Sequence, residues 1–228
     1  MNNAMLSLMA VLMPANVVDF TRPAAWECPA GVGVVYVECW GAGGATEGLP
    51  TSPTGGGGGG AYAAATVIVV PGKLYAIGNF ADWVRFADGN AIRVLAMSGG
   101  YLESGMLGGA KGGQAADCIG TVKFSGGTGG KSFITQRGMW VCGGGGGGAG
   151  PSGPGLDGTD GMLGTLTAGI GGAGYAGGGF GGVRNKAPSW GDAGAFPNGG
   201  NGGSSGGKLG RVIAGKLVCN SGLCRISW

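Results

Sequence analysis

Two uninterrupted runs of six glycines, Gly55–Gly60 and Gly143–Gly148, constrain any fold of this chain. A glycine run has no side chain to bury, and it loses more backbone entropy on ordering than any other sequence. That free energy must return through backbone hydrogen bonds to neighbouring segments, because buried N–H and C=O groups need partners. Sixty of the 228 residues are glycine, so the constraint reaches beyond the two runs. A flexible, low-complexity chain is the competing reading of such a composition. The other residues oppose it. Hydrophobic residues make up 43% and charged residues 11%, and six Trp, five Tyr and seven Phe are spread along the sequence. Disordered chains are poor in aromatics and rich in charge.

Each glycine run adjoins a segment that reads as a strand. Val32 to Trp40 and Ala63 to Val70 are rich in β-branched and aromatic residues, and Pro71-Gly72 closes the second with a turn signal. Leu74 to Gly78, Ala91 to Ala96, Ile119 to Phe124, Met139 to Cys142, Arg211 to Val218 and Leu223 to Trp228 complete the set. No segment has a helical period. Short strands separated by Gly and Pro turns predict an all-β, jelly-roll-like sandwich.

From Ala149 to Gly210 the chain is glycine-rich with a partial three-residue period: Gly155, Gly158, Gly161 and Gly164 are three apart, as are Gly171, Gly174 and Gly177. Three residues per turn is the repeat of a polyproline II-type helix, whose backbone groups point outward without internal partners. Glycine on the contact face lets such helices pack side by side and bond through the backbone, which predicts a polyglycine II insertion. Collagen shares the spacing, but the register breaks between Gly153 and Gly155 and only ten prolines occur. The expected division is an apolar segment at 1–18, a sandwich portion at 19–142, a polyglycine II region at 143–210, and C-terminal strands at 211–228 returning to the sandwich.

In their order, several motifs resemble one family. Phe20, Trp26 to Val32 and Val34 to Gly44, with a Pro-Ala-Gly turn and a valine-rich strand ending in Trp-Gly-Ala-Gly-Gly, open the match. Gly55–Gly60 with Ala61-Tyr62 and a valine strand ending in Val70-Pro-Gly72 follow, then Leu74 to Gly78. Gly126 to Phe133 with Gly143–Gly148, and a last strand ending in Trp228, complete it. The sequence resembles the glycine-rich domain of bacteriophage tail-fibre and adhesin proteins over roughly residues 18–228. A related arrangement occurs in the extracellular glycine-rich region of certain receptor kinases. The resemblance implies a β-sandwich with glycine helices emerging from its strand ends. It also implies a virion location, other virion proteins as partners and, as fibres often do, a homotrimer.

The chain contains no histidine. Histidine-based acid–base chemistry, Ser–His and Cys–His nucleophile pairs and His metal sites are therefore excluded. Asp157 and Asp160 are close enough to raise glycosidic cleavage, and Asp157 to Asp160 could be read as a partial calcium loop. Both residues read more simply as solvent-facing positions of the three-residue tract. The expectation is a protein that is not an enzyme and uses no cofactor or metal. Net charge is +3, with eight basic and eight acidic residues in 1–142 against six basic and three acidic in 143–228. Arg184, Lys186, Lys208, Arg211, Lys216 and Arg225 are dispersed, which is not a nucleic-acid-binding pattern. Of the six cysteines, Cys28, Cys39, Cys118 and Cys142 read as buried free thiols. Cys219 and Cys224 flank Asn-Ser-Gly-Leu, a spacing that suits a hairpin disulfide as well as two thiols.

Residues 1–18 are apolar, too short to span a bilayer and without a basic n-region. Leu6, Leu8, Met9, Val11 and Leu12 are expected to serve attachment or oligomerisation. Tyr175, Phe180, Arg184, Trp190, Phe196 and Asn198 are framed by glycines, and aromatic and Arg side chains make good interface anchors. They are the expected contacts to a bacterial surface protein or glycan, although Phe180 and Trp190 equally suit capping the lattice. Two functions follow: a tail fibre or fibre-tip adhesin that binds a host receptor, or a structural virion protein that decorates or joins head or tail components.

Overall fold

The computed structural model describes residues 16–48, 53–103, 105–134, 140–175, 183–184, 195–196, 198–200, 207–209, 211–213, 216–218 and 222–228. The chain is all-β, with antiparallel sheets and, among the described residues, no helix beyond a 3-10 turn at Ala115–Asp117. The strands are β1 (Val17–Phe20), β2 (Ala24–Glu27), β3 (Val34–Trp40), β4 (Thr46–Gly48), β5 (Tyr62–Ile68), β6 (Leu74–Asn79), β7 (Trp83–Asp88) and β8 (Ala91–Met97). They continue with β9 (Val122–Phe124), β10 (Phe133–Ile134), β11 (Trp140–Val141), β12 (Val183–Arg184), β13 (Gly207–Leu209), β14 (Arg211–Ile213), β15 (Lys216–Val218) and β16 (Leu223–Ser227).

Two larger sheets face each other across one core, an arrangement consistent with a β-sandwich. The first has five strands in the order β1-β16-β3-β5-β9, and the second has four in the order β2-β6-β7-β8. The alternation predicted for the valine-rich segments is present. In β3, Val35, Val37 and Cys39 are buried, while Val34, Tyr36 and Glu38 face outward. The buried set meets Trp26, Tyr75, Ile77, Val84, Phe86 and Val94 of the second sheet. Tyr75 stacks on Phe86 at 5.2 Å between centroids, and Trp26 lies 5.8 Å from Tyr75 and 5.7 Å from Trp228. Each fully buried large side chain of this kind contributes about 1.5–3 kcal/mol.

Outside the sandwich, glycine-rich tracts lie side by side and exchange backbone hydrogen bonds at intervals of three residues. Gly56 and Gly59 donate to Gly130 and Gly127, and Gly127 and Gly130 donate to Gly147 and Gly144. Gly144 and Gly147 donate to Thr159 and Leu156, which donate in turn to Ile170 and Ala173. These neighbours run antiparallel. Parallel neighbours keep the same step: Gly155, Gly158 and Gly161 donate to Ser125, Thr128 and Lys131, while Gly169, Gly172 and Tyr175 donate to Cys142, Gly145 and Gly148. The spacing leaves no room for side chains on the contact faces. A Cβ on Gly59 would overlap the Gly147 carbonyl oxygen, and one on Gly129 would overlap that of Gly56.

The lattice is wider than the glycine content suggests. Ala110 and Gly113 donate to Gly56 and Gly59, and Gly44 donates to Gly58, so residues within 19–142 belong to it as well. Val17 and Val18, expected in the apolar leader, pair with Ser227 and Ile226 in β1 and β16. Arg211 to Val218, expected as one strand, is the two-stranded hairpin β14–β15. β7, which sequence periodicity did not single out, is central to the four-stranded sheet.

Candidate functional site

The sandwich and the lattice meet on the outer face of the five-stranded sheet. Register places Glu38 of β3 beside Arg225 of β16, and Arg225 beside Asp19 of β1. Arg225 forks onto Asp19, with Nε to Oδ1 and an amino nitrogen to Oδ2 both at 2.8 Å. Tyr62 of β5 donates its hydroxyl to Glu38 at 2.7 Å. Burial and then this bond push the Tyr62 phenol well above its usual range, so it remains a donor. One register step on, Trp40 is fully buried beside Tyr62, with centroids 5.1 Å apart and the Arg225 guanidinium 5.7 Å from its ring.

Tyr175 joins the two regions. Its N–H donates to Gly148, its ring stacks on Trp40 at 5.6 Å and 24°, and the residue remains 47% exposed. It is therefore a fixed aromatic platform, half in contact with the sandwich and half open. Phe196 is 53% exposed. Asn198 departs from its expected place on a contact loop, since it has no exposed surface. Its Nδ2 donates to the carbonyls of Ala149 at 2.7 Å and Gly60 at 3.2 Å, and its own carbonyl accepts from Gly60. An amide amid glycines reads as a loop residue, yet here it fastens three tracts together. Phe180 and Trp190 lie outside the described residues, as do Leu6, Leu8, Met9, Val11 and Leu12. Arg184 lies in β12 opposite Trp140.

Tyr175 and Phe196 are not the only apolar side chains open to solvent in this region. Tyr101, Met106, Leu156, Met162 and Ile170 are also exposed there. Sequence reasoning passed over Leu156 and Met162, although both occupy non-glycine positions of the three-residue tract.

The carboxylates once considered for catalysis have structural partners. Asp157 Oδ1 accepts the Thr128 N–H at 2.6 Å and Asp160 Oδ1 accepts the Lys131 N–H at 2.7 Å. They close the exposed edge of the lattice at the same three-residue step. Among the described residues, no group of three or more His, Cys, Asp or Glu is arranged to hold a metal ion. No described helix is long and apolar enough to cross a membrane.

Cys28, Cys39, Cys118, Cys142 and Cys224 are all buried free thiols. Cys224 faces Cys39 across β16 and β3 as a thiol, the second of the two alternatives for the Cys219–Cys224 spacing, and Cys219 lies outside the described residues. Burial and then the adjacent Cys224 push the Cys39 thiol far up, so it behaves as a small apolar group.

No protein-family model matches the chain, and no curated protein is significantly similar to it.

Proposed function

We propose that this chain is a non-enzymatic virion surface protein, a tail fibre or fibre-tip adhesin, that holds a bacterial cell-surface protein or glycan. In this reading the glycine tracts are polyglycine II-type helices inserted in a jelly-roll-like sandwich. Loops at the tract ends carry the contacts, and the apolar segment ahead of β1 supplies attachment to other virion proteins in a homotrimeric fibre. The observation that carries the reading is the three-residue step of the inter-tract hydrogen bonds. It matches helices with three residues per turn and no internal bonds. Such a lattice is stiff and nearly free of side chains, so the few that project from it are free to serve recognition. Tyr175 and Phe196 project in this way, and Phe180, Arg184 and Trp190 belong to the same proposal. Asn198 acts as an internal fastener.

The test is binding of the purified chain to the bacterium its phage infects, in competition with phage adsorption. Saturable binding that blocks infection, lost with Phe196→Ala or Trp190→Ala while particles still assemble, is the expected result. Absence of binding by folded protein overturns the adhesin role in favour of a structural head or tail component. In that case, deletion of residues 1–15, which leaves β1 intact, would remove the protein from particles.

A further inference from the structure

The five-stranded sheet ends in an edge that the chain covers only in part. β5 bonds to β3 through its odd-numbered residues, a phase fixed at either end by Gly41 donating to Ala61 and Val69 donating to Gly33. In an antiparallel pair, the residues between turn their N–H and C=O groups to the other side. On that side β9 pairs only with Tyr62, Ala63 and Ala64, and Thr121 donates to the Ala64 carbonyl where the pairing stops. Further along, the hydroxyl of buried Tyr75 accepts the Val70 N–H at 2.9 Å. Between these two closures, the outward N–H and C=O groups of Thr66 and Ile68 have no bonding partner among the described residues, and Ile68 is 83% exposed.

This open stretch borders a cleft of about 540 Å³, with Thr66, Val67 and Ile68 on one side and Asp88 and Arg93 of the second sheet on the other. Arg93 is the extra residue of a bulge, since the register passes from Ala87–Ile92 to Phe86–Val94 without pairing it. Bulges re-aim a side chain. Its guanidinium lies 3.6 Å from Asp88, a carboxylate that Lys73 already holds at 2.6 Å. Two cations therefore share one anion at the cleft, and half of the Arg93 side chain is open to solvent.

These features select the occupant. Unpaired backbone groups in a row along a strand edge are completed by another strand. The second sheet stands across the cleft, which suits one extended segment better than the edge of another sheet. Side chains alternate along a strand, so the segment's residue opposite Val67 points inward, toward Arg93. Its residues opposite Thr66 and Ile68 lie outward, beside the exposed Ile68 side chain. We propose that this edge binds an extended peptide of the pattern apolar–acidic–apolar. The peptide adds to β5 antiparallel, as β9 does, and its carboxylate meets the Arg93 guanidinium in a charge-assisted bond. The site belongs to the sandwich and stands apart from the lattice loops, so it does not depend on the adhesin reading.

Titration of the peptide acetyl-Thr-Val-Glu-Val-Thr-amide into the isotope-labelled full chain, followed by backbone amide NMR shifts, tests it. Saturable shifts centred on Thr66 and Ile68 are expected. Affinity should fall roughly tenfold in Arg93→Ala, and by a similar factor when Lys replaces the peptide's Glu. N-methylation of the two peptide valines, which leaves the protein unaltered, should abolish binding. Absence of shifts, unchanged affinity in Arg93→Ala, equal binding of the lysine peptide, or indifference to N-methylation overturns the proposal. So does a concentration-dependent dimer that shifts the same two amides, which would assign the edge to a second copy of the chain.

Discussion

The sandwich and the glycine lattice satisfy the same backbone requirement in opposite ways. In the sandwich, strands pair and side chains such as Val37, Tyr75 and Phe86 fill the space between sheets. In the lattice, tracts approach until carbonyl oxygens occupy the space a Cβ would take. Apolar burial is tolerant of shape to within a methyl group or so. A contact between backbones has no such slack, because nothing in it can rotate away. The sandwich should therefore accept substitutions in proportion to volume, and the lattice should divide into positions that accept alanine freely and positions that reject it.

Gly59→Ala is the strongest test of that division. The new methyl meets the Gly147 carbonyl, and Gly59 also donates to Gly127 and accepts from Gly113. Relief requires a whole tract to move. The expected loss exceeds about 4 kcal/mol, the range reserved for a specific structural conflict. Gly108→Ala, where a Cβ meets nothing within 4 Å, should stay within about 0.5 kcal/mol. Urea unfolding of both variants decides the matter. Similar losses would mean that glycine content in general, and not close approach, holds the region together.

Asn198→Ala comes next. It removes the Nδ2 donor from the Ala149 carbonyl, whereas the Gly60 carbonyl keeps the Ala149 N–H. One buried acceptor is left bare, so the expected loss is about 1–3 kcal/mol. Asn198 also has an Oδ1 without a partner among the described residues, lying where a Gly148 side chain would be. Unchanged stability on urea unfolding would show that the amide fills space without fastening the tracts.

Asn198 also marks where sequence stops being informative. The valine-rich strands were legible because alternation records which face is buried: Val35, Val37 and Cys39 lie inward as the pattern requires. The tract at Gly155, Gly158 and Gly161 was legible because glycine recurs there at the three-residue step of the backbone bonds to Ser125, Thr128 and Lys131. In the next tract the donors are Gly169, Gly172 and Tyr175, while Gly174 lies where a Cβ would meet the Gly148 carbonyl oxygen. A residue can occupy a bonded position with a side chain if that side chain points off the lattice, as Tyr175 does toward Trp40. For the same reason residues 99–113, with Tyr101, Met106 and Lys111, did not read as lattice. Glycine marks the crowded positions only, and it does not reveal which tracts will be neighbours. The Arg225–Asp19 fork was hidden because its partners are 206 residues apart.

The smallest expected effect belongs to the sandwich and concerns charge. Lys73, at the entry to β6, reaches Asp88 at the end of β7, with Nζ to Oδ1 at 2.6 Å, and Arg93 lies 3.6 Å from Oδ2. The bond from Lys73 holds the Asp88 carboxyl below its usual range, and the bond to Asp88 holds the Lys73 ammonium above its own. A lowered carboxyl contributes stability above the unfolded-state pKa of about 3.9 and loses it as pH falls through the lowered value. A raised ammonium contributes below about 10.4 and loses it as pH rises through the raised value. The pair therefore acts between these limits, and weakly, because solvent and salt screen it. Asp88→Asn should lower the urea midpoint slightly at pH 7, less so in high salt, with the difference closing below pH 4. A difference that persists in acid would trace the loss to the shape of the β7–β8 turn, and the sandwich would then owe nothing measurable to this ion pair.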